Sequence, residues 1–291
     1  MSFIGDLYRI LLKPLPDEQY SVFEHFRHLH RFPDLRKPKT FNEKILWIKL
    51  NYRNRLLIQC TDKFLVRDYV RSVLPEDALV PLLGVYERAQ DISYSALPDQ
   101  FILKANHGSG WNVLCRSKSS FDHQTATIKL SKYLRSNFYN VQREWAYKEI
   151  KPQIICEALL LDDEGNIPKD YKVYCFNGEP KFLQVHYDRF TEHTTNFYDL
   201  DWHRMPCALK YPNHAERNSS PPEALSKLLT IAQRLSTPFP FVRVDLYVLG
   251  TRVFFGELTF YPEAGIGKFL PPEYDYIFGN YLDLRAIQNS Q

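Results

Sequence analysis

Charged side chains far apart in the chain are of the types that handle a polyphosphate and its cation. The stretch FFGELTFYPEAG (254–265) reads as a strand, yet it carries Glu257 among aromatic residues. Upstream, FPFVRVDLY holds Arg243 and Asp245. Alternate residues of a strand share a face, so Arg243, Asp245 and Tyr247 point one way and Val242, Val244 and Leu246 the other. On the return strand, Val253, Phe255, Glu257 and Thr259 are expected on one face. A three-residue turn near Gly250 or Thr251 sets Asp245 opposite Phe255 or Glu257, with both carboxylates on one face. A two-residue turn puts them on opposite faces. Two carboxylates on one face suit magnesium, which takes carboxylate and phosphate oxygens together. The plain alternative is an edge strand whose charged face meets water.

Lys104 ends the apolar run FILKA and is followed by Asn106, His107, Gly108, Ser109, Gly110. A lysine beside an amide-rich loop suits a polyphosphate, because the amides donate hydrogen bonds and the lysine neutralises charge. The loop is not a Walker sequence, since no Gly-Lys-Ser or Gly-Lys-Thr follows; a glycine turn beside a surface lysine is the alternative. His107 borders the loop and is a candidate phosphate contact. Arg143, Trp145 and Lys148 could hold a sugar ring and an acidic group, or Trp145 and Tyr147 could pack inward. His186, Asp188 and Arg189 follow a strand and are candidates to face a substrate, with Arg189 as a catalytic candidate. His25, His28 and His30 read as a solvated helix face rather than metal ligands. The one Asp-x-Asp match, at 199–201, reads as a strand end and turn, so a glycosyltransferase metal motif is not supported.

The elements that must position these residues are mixed. Residues 1–75 read as mostly helical: FNEKILWIKLNYR has helical apolar spacing with Thr40 or Asn42 able to cap it, and TDKFLVRDYVRSVL repeats the pattern before Leu74 and Pro75 end it. Strand-like runs follow in LVPLLGVYE, QFILKA and QIICEALLL, with a helix at 122–136 between them and an unassigned stretch at 137–152. YKVYCF and EPKFLQVHYD flank Asn177-Gly178, a strong hairpin signal. An amphipathic helix at 223–236, a second hairpin from 239 and a helix near 273–283 complete the reading, with 212–222 as a mobile loop. Helices and hairpins without regular alternation indicate an α+β fold.

The chain has 291 residues, 44% hydrophobic and 24% charged, as in an ordinary soluble globular protein. Its net charge of +3 is too small and dispersed to argue for nucleic acid. Five cysteines without metal or redox spacing read as buried free thiols, which favours a reducing compartment. The N-terminus does not read as a signal peptide or a membrane span. Phe3, Ile4, Leu7, Ile10 and Leu11 share one helical face, for packing on the protein or for peripheral contact with a membrane through residues 3–12.

FNEKILWIKLNYRN, CTDKF, LPDQFILKANHGSGWN, REWAYKEIKP, DYKVYCFNGEPKF, FYDLDW, FPFVRVDLY and FGELTFYPEAG, in this order, resemble the TupA-like ATP-grasp family from about residue 38 to 283. The resemblance implies an ATP-grasp fold, with two α+β subdomains clamping ATP. The expected division is a helical region 1–60, a lid subdomain 61–160 and a catalytic subdomain 161–291. It also implies site residues. Lys63 and Lys104 would contact phosphates, and Gly108, Ser109 and Gly110 would form a closing loop. Glu157, Ala158 and Leu159 would hold adenine, with Asp170 near the ribose and Lys172 in the cofactor site. Asp245 and Glu257 would bind magnesium, with Arg243 near the transferred phosphate. Many ATP-grasp enzymes carry asparagine two residues after the metal glutamate; here it is Thr259, with Glu263 a further oxygen source.

The family is associated with teichuronopeptide and capsular polysaccharide synthesis. The implied activity is a carboxylate–amine ligase using ATP and Mg2+, working through an acyl phosphate. It would join an amino acid or amino group to a uronic acid or other sugar of a bacterial surface polysaccharide, in the cytoplasm or at the inner face of the membrane. A sugar kinase and a non-catalytic glycan-binding or assembly protein are the alternatives.

Overall fold

A computed structural model describes residue 12 and residues 14–187, 192–214 and 219–288. The N-terminal apolar face at residues 3–11 and the centre of the expected loop, 215–218, lie outside the described residues. Among the described residues no helix is long and apolar enough to cross a membrane.

The first helices are α1 (Asp17–Leu29), α2 (Phe41–Asn51), α3 (Arg55–Thr61) and α4 (Val66–Val73). α2 starts at a reciprocal cap. Thr40 Oγ1 accepts from the Glu43 amide at 3.2 Å, and Glu43 Oε2 accepts from the Thr40 amide at 3.0 Å. The expected single helix through TDKFLVRDYVRSVL is divided. Asp62 Oδ1 accepts from the Phe64 and Leu65 amides at 2.8 and 3.2 Å, so a turn carrying Lys63 separates α3 from α4. Leu74 ends α4 as expected.

Two sheets follow. The smaller has the order β1 (Leu82–Tyr86), β4 (Ile154–Ala158), β2 (Phe101–Ala105), β3 (Asn112–Cys115), all pairs antiparallel. It shares a core of Phe101, Leu103, Ile154 and Cys156 with Leu130 of α5 (His123–Leu134). Between α5 and β4 lie a short helix α6 (Tyr139–Gln142), Arg143 in the left-handed region at φ 56°, and a 3-10 turn Trp145–Tyr147. The larger sheet has the order β11 (Arg252–Thr259), β10 (Phe241–Leu249), β5 (Asp170–Phe176), β6 (Glu179–Tyr187), β7 (Thr194–Tyr198), β8 (Arg204–Met205). Asn177 and Gly178, at φ 50° and 82°, make the tight β5–β6 turn that their side chains permit.

One face of β5 and β10 serves two purposes. At one end Phe41 of α2 meets the rings of Phe241 and Phe176 at 5.2 and 5.9 Å, and Phe278 of α8 (Glu273–Asn280) stacks on Phe182 at 3.9 Å. At the other end the same alternation presents Asp170, Lys172, Arg243 and Asp245. The opposite face is apolar: Val242, Val244 and Leu246 are fully buried near α7 (Leu225–Ser236). α2, α3 and α4 also contribute to this large core, through Ile45, Ile48, Leu57, Val66 and Val70. A two-stranded ribbon of β9 (Ala208–Leu209) and β12 (Phe269–Leu270) and the terminal helix α9 (Arg285–Gln288) complete the described chain.

Candidate nucleotide site

The β10–β11 hairpin decides whether its carboxylates meet. Its turn has two residues, since Leu249 pairs with Arg252. By simple alternation that would set Asp245 and Glu257 on opposite faces. A bulge at Gly256 corrects it. Leu246 pairs with Phe255 but Asp245 pairs with Glu257, so one extra residue shifts the register. The expected three-residue turn is therefore replaced by a two-residue turn plus a bulge. Val253 and Phe255 consequently lie on the core face, opposite Glu257 and Thr259. The glycine fits because its strand lies close to β10: a Cβ at 256 would sit 2.9 Å from the Asp245 carbonyl oxygen.

Asp245 is buried in a web of cations. Arg243 donates Nε to its Oδ1 at 2.7 Å and NH2 to its Oδ2 at 2.8 Å. Lys172 Nζ bonds the same Oδ2 and pairs with Asp170 at 2.8 Å. Burial pushes the Asp245 carboxyl upward against the pull of Arg243 and Lys172. Burial alone would lower Lys172 and Arg243, but Asp170 and Asp245 outweigh it for Lys172 and Asp245 leads for Arg243, so both rise. Glu257, 34% exposed at its side chain, receives Lys63 Nζ at 3.3 Å. Burial pushes its carboxyl up, but Lys63, Lys172 and Arg243 dominate and hold it far below the ordinary range. Lys63 is held near the glycine loop. Its amide donates to Asn106 O at 3.1 Å, and Asn106 Nδ2 donates to Asp62 Oδ2 at 3.0 Å.

These groups line a cavity of about 430 Å³ between the two sheets. Lys63, Lys104, Lys172, Asp170, Asp245 and Glu257 form its polar part, with Ser109 and Gly110 from the glycine loop and Asn112 from β3. Val80, Ile102, Leu114, Ala158, Leu159 and Leu160 form its apolar part, joined by Ile167 and Pro168. A charged end and an apolar end in one cleft suit a ligand with an aromatic base and a polyphosphate. Ser109 and Glu257 are also walls of a second cavity of about 500 Å³. That one is lined by Phe138, Glu144, Tyr147, Arg243, Thr259, Tyr261, Glu263 and Lys268, among others.

A model of TupA-like ATP-grasp proteins matches residues 43–283. The chain belongs to the TupA-like ATP-grasp family. The two sheets facing each other across the cavity are its ATP-grasp fold, of α+β class. No curated protein matches the sequence. Among solved structures, D-alanine–D-alanine ligase from Bacillus anthracis is similar at 15% identity and a TM-score of 0.46, over 80% of this chain and 70% of that one. The same ligase complexed with ATP gives 12% identity and 0.39, over 69% and 53%. The ATP-grasp ligase PsnB complexed with a minimal precursor gives 10% and 0.40, over 75% and 59%. The ATP-grasp chain thus spans about half to seven-tenths of the length of these proteins.

Not every expected residue reaches the cavity. Glu157 lines neither cavity; its carboxylate accepts from Arg67 NH1 at 2.9 Å and from Lys104 Nζ at 2.7 Å. Burial would lower Lys104, but Glu157 overrides it and raises it. The Ala158 amide donates to Pro81 O at 3.0 Å, so Leu159 and Leu160 are the next backbone along that wall. His107 is buried away from the cavity. Its Nε2 lies 3.1 Å from Tyr133 O and from Ser136 O, and burial lowers its pKa. Gly108 lies under the Trp111 ring, where a Cβ would come within 2.3 Å. Thr259 opens on the second cavity and accepts from Arg243 NH2 at 3.1 Å. Glu263, at φ 47°, pairs with Lys210 at 3.0 Å in that cavity. Asp188 and Arg189 lie outside the described residues. His186 is buried with Nδ1 2.9 Å from His193 Nε2.

Arg143 and Lys148 of the aromatic-basic cluster share the Tyr139 ring, and Trp145 pairs elsewhere. Arg143 lies over Tyr20 and Tyr139 at 5.2 and 5.3 Å, Trp145 sits under Arg53 at 5.0 Å, and Lys148 lies over Tyr139 at 5.3 Å. His25 is fully buried instead of solvated, with Nδ1 3.0 Å from Arg31 O. Asp199 Oδ1 accepts from the Asp201 and His203 amides, as a turn requires. All five cysteines are buried and unpaired.

The donor set fits a divalent cation that is completed by its ligand. Among the described residues no group of three or more His, Cys, Asp or Glu could hold a metal ion. Asp245 and Glu257 do face one cavity from paired positions. Magnesium is commonly held by one or two carboxylates, with phosphates and water supplying the rest. The sequence reading missed Asn106, Glu144 and Tyr147. Glu144 and Tyr147 lie in a stretch with no clear period, and Asn106 acts through long-range bonds to Lys63 and Asp62, so none of the three announced itself as a pattern.

Proposed function

We propose that the protein is an ATP-dependent ligase that joins a carboxylate to an amine through an acyl phosphate, with ATP and Mg2+ in the first cavity. The observation that carries this is convergence. Lys63, Lys104, Lys172, Asp245 and Glu257 come from separate stretches of the chain and line one cavity that shares a wall with a second. In this reading adenine lies along Leu159 and Leu160, the ribose lies near Asp170, and Lys63, Lys104 and Lys172 neutralise the phosphates. The loop at Ser109 and Gly110 covers them and keeps water from the acyl phosphate. Asp245 and Glu257 would hold the magnesium, which supplies charge neutralisation across the phosphate oxygens.

Arg243 stands at the junction, on the walls of the second cavity and bonded to Asp245. There it would stabilise charge on the transferring phosphoryl group. For Lys172 and Arg243, phosphate oxygens would replace the carboxylates they now hold, so those carboxylates become available to the cation. Residues 61–160 and 161–291 are the clamping lobes in this proposal, with α2 of the helical region 1–60 packed on the latter. The acceptor is a uronic acid or other sugar of a bacterial surface polysaccharide and the donor an amino acid or amino group. Support for a ring-bearing, charged substrate comes from Phe138, Tyr147, Lys210 and Lys268 in the second cavity. A protein acting on such cytoplasmic precursors needs no membrane span.

The test is ADP release from ATP and Mg2+ with panels of uronic acids and amino acids. Dependence on both a carboxylate and an amine is the expected result; a phosphorylated sugar without an amine would make the protein a kinase. Asp245→Ala and Glu257→Ala should each lower turnover, measured per folded molecule, by roughly 10²–10³-fold. Full activity in the double variant removes the metal role.

A further inference from the structure

Glu144 is a buried carboxylate outside the first cavity. It stands between the left-handed Arg143 and the turn Trp145–Tyr147, on the wall of the second cavity. It is 9% exposed. Among the described residues no hydrogen bond or ion pair reaches its carboxylate, although its backbone oxygen accepts from the Tyr147 amide at 3.1 Å. An ionisable group so buried normally has partners, because leaving it without them is costly. Lys49, the cation that acts on it most strongly, does not bond it. Lys49 Nζ, itself buried, donates to Gln142 O and Ala264 O, both at 3.1 Å. Lys49 therefore ties α2 to Gln142 and to the turn after β11 and acts on Glu144 through space.

Other charged groups face it: Arg243 from β10, Glu257 from β11, and Glu263 from the turn after β11. Burial, reinforced by Glu263 and Glu257 and opposed by Lys49 and Arg243, pushes the carboxyl up to about 7. A carboxylate in that range can accept a proton and release it near neutral pH. Burial in turn lowers Lys49 to about 8.

We infer that Glu144 is a catalytic residue: the base that takes the proton from the ammonium form of the amine in the second cavity, freeing its lone pair to attack the acyl phosphate. This rests on the ligase reading above. The nitrogen lone pair forms the C–N bond, the acyl C–O bond to phosphate breaks, and inorganic phosphate leaves with the bonding pair. The ammonium proton passes to a Glu144 carboxylate oxygen and from there to solvent, and the proton shed as the C–N bond forms leaves on the phosphate. The amine binds beside Glu144, on the side of the cavity away from Asp245, which lines only the first.

The experiment sets an amine that must lose a proton against one that is already neutral. Wild type, Glu144→Gln and Glu144→Asp are given ATP, Mg2+ and D-glucuronate, D-galacturonate or UDP-D-glucuronate. Each mixture contains either L-glutamate, L-alanine or L-lysine, or hydroxylamine, which is uncharged at neutral pH and traps acyl phosphates as hydroxamates. The expected result is a fall in the amide-to-hydroxamate ratio of roughly 10²-fold or more for Glu144→Gln. Glu144→Asp should fall between the two, and should keep the acid limb of the amide pH profile that Glu144→Gln loses. A ratio within threefold of wild type in both variants overturns the inference, since misfolding would lower both products together. If wild type yields neither hydroxamate nor ADP with any of these acids, the ligase reading fails, and this one with it.

Discussion

On one side of Glu257 the lysines that line the cavity already hold carboxylates: Lys63 with Glu257, Lys104 with Glu157, Lys172 with Asp170 and Asp245. On the other side, a cavity of similar size holds the pair Lys210–Glu263, but no ion pair among the described residues reaches Glu144 or Lys268 on its walls. The first arrangement holds charges in place until a stronger anion and its cation replace the internal partners. The second leaves a group whose protonation can change during a turnover. Each costs something. Paired charges must be desolvated together, while a lone acid is kept partly neutral by burial.

The pairing in the first cavity is tested hardest by Glu157→Ala. It leaves Arg67 and Lys104 facing each other without their shared carboxylate in a buried site. Chemical denaturation should show a loss of about 3–5 kcal/mol. Glu257→Ala, at a side chain one-third exposed, should cost less than about 1 kcal/mol. Equal costs for the two would mean that burial does not separate the structural pair from the exchangeable one.

A smaller effect is expected at the wall the cavities share. Gly256→Ala places a methyl 2.9 Å from the Asp245 carbonyl oxygen, so the strands must separate locally. Stability should fall by about 1–3 kcal/mol. ATP turnover should fall by about 10- to 100-fold as Asp245 and Glu257 move apart. Unaltered turnover would show that the bulge does not set their spacing.

The smallest effect belongs to the second cavity and lies in pH dependence. Glu144 has a folded-state value near 7 against an ordinary 4.5, so the folded protein binds the extra proton between them. Stability from this group is full below about 4.5 and is lost as pH rises through 7. Glu144→Gln lacks that loss. The stability gap between variant and wild type should shift in the variant's favour across this window, by up to about 1.4 kcal/mol per pH unit. A parallel pair of stability–pH curves would place Glu144 in contact with water or with a partner that neutralises its burial.

Local patterns made much of this molecule legible. Thr40 and Glu43 announce the start of α2, Asn177-Gly178 announces a hairpin, and the alternation in FVRVDLY fixes which of its residues share a face, because caps, tight turns and pleats depend on a few adjacent residues. The motifs that carry the family resemblance likewise lie in linear order. Tertiary structure decided the rest. Whether Asp245 meets Glu257 depended on a bulge that only the close approach of β10 to Gly256 explains. Glu157 became a partner of Arg67 and Lys104 instead of a wall of the cavity, and His107 was drawn into a pocket of carbonyl oxygens. Glu144 gained its role from what lies across space from it. Long-range pairing and burial set those outcomes, and neither is written in the identities of neighbouring residues.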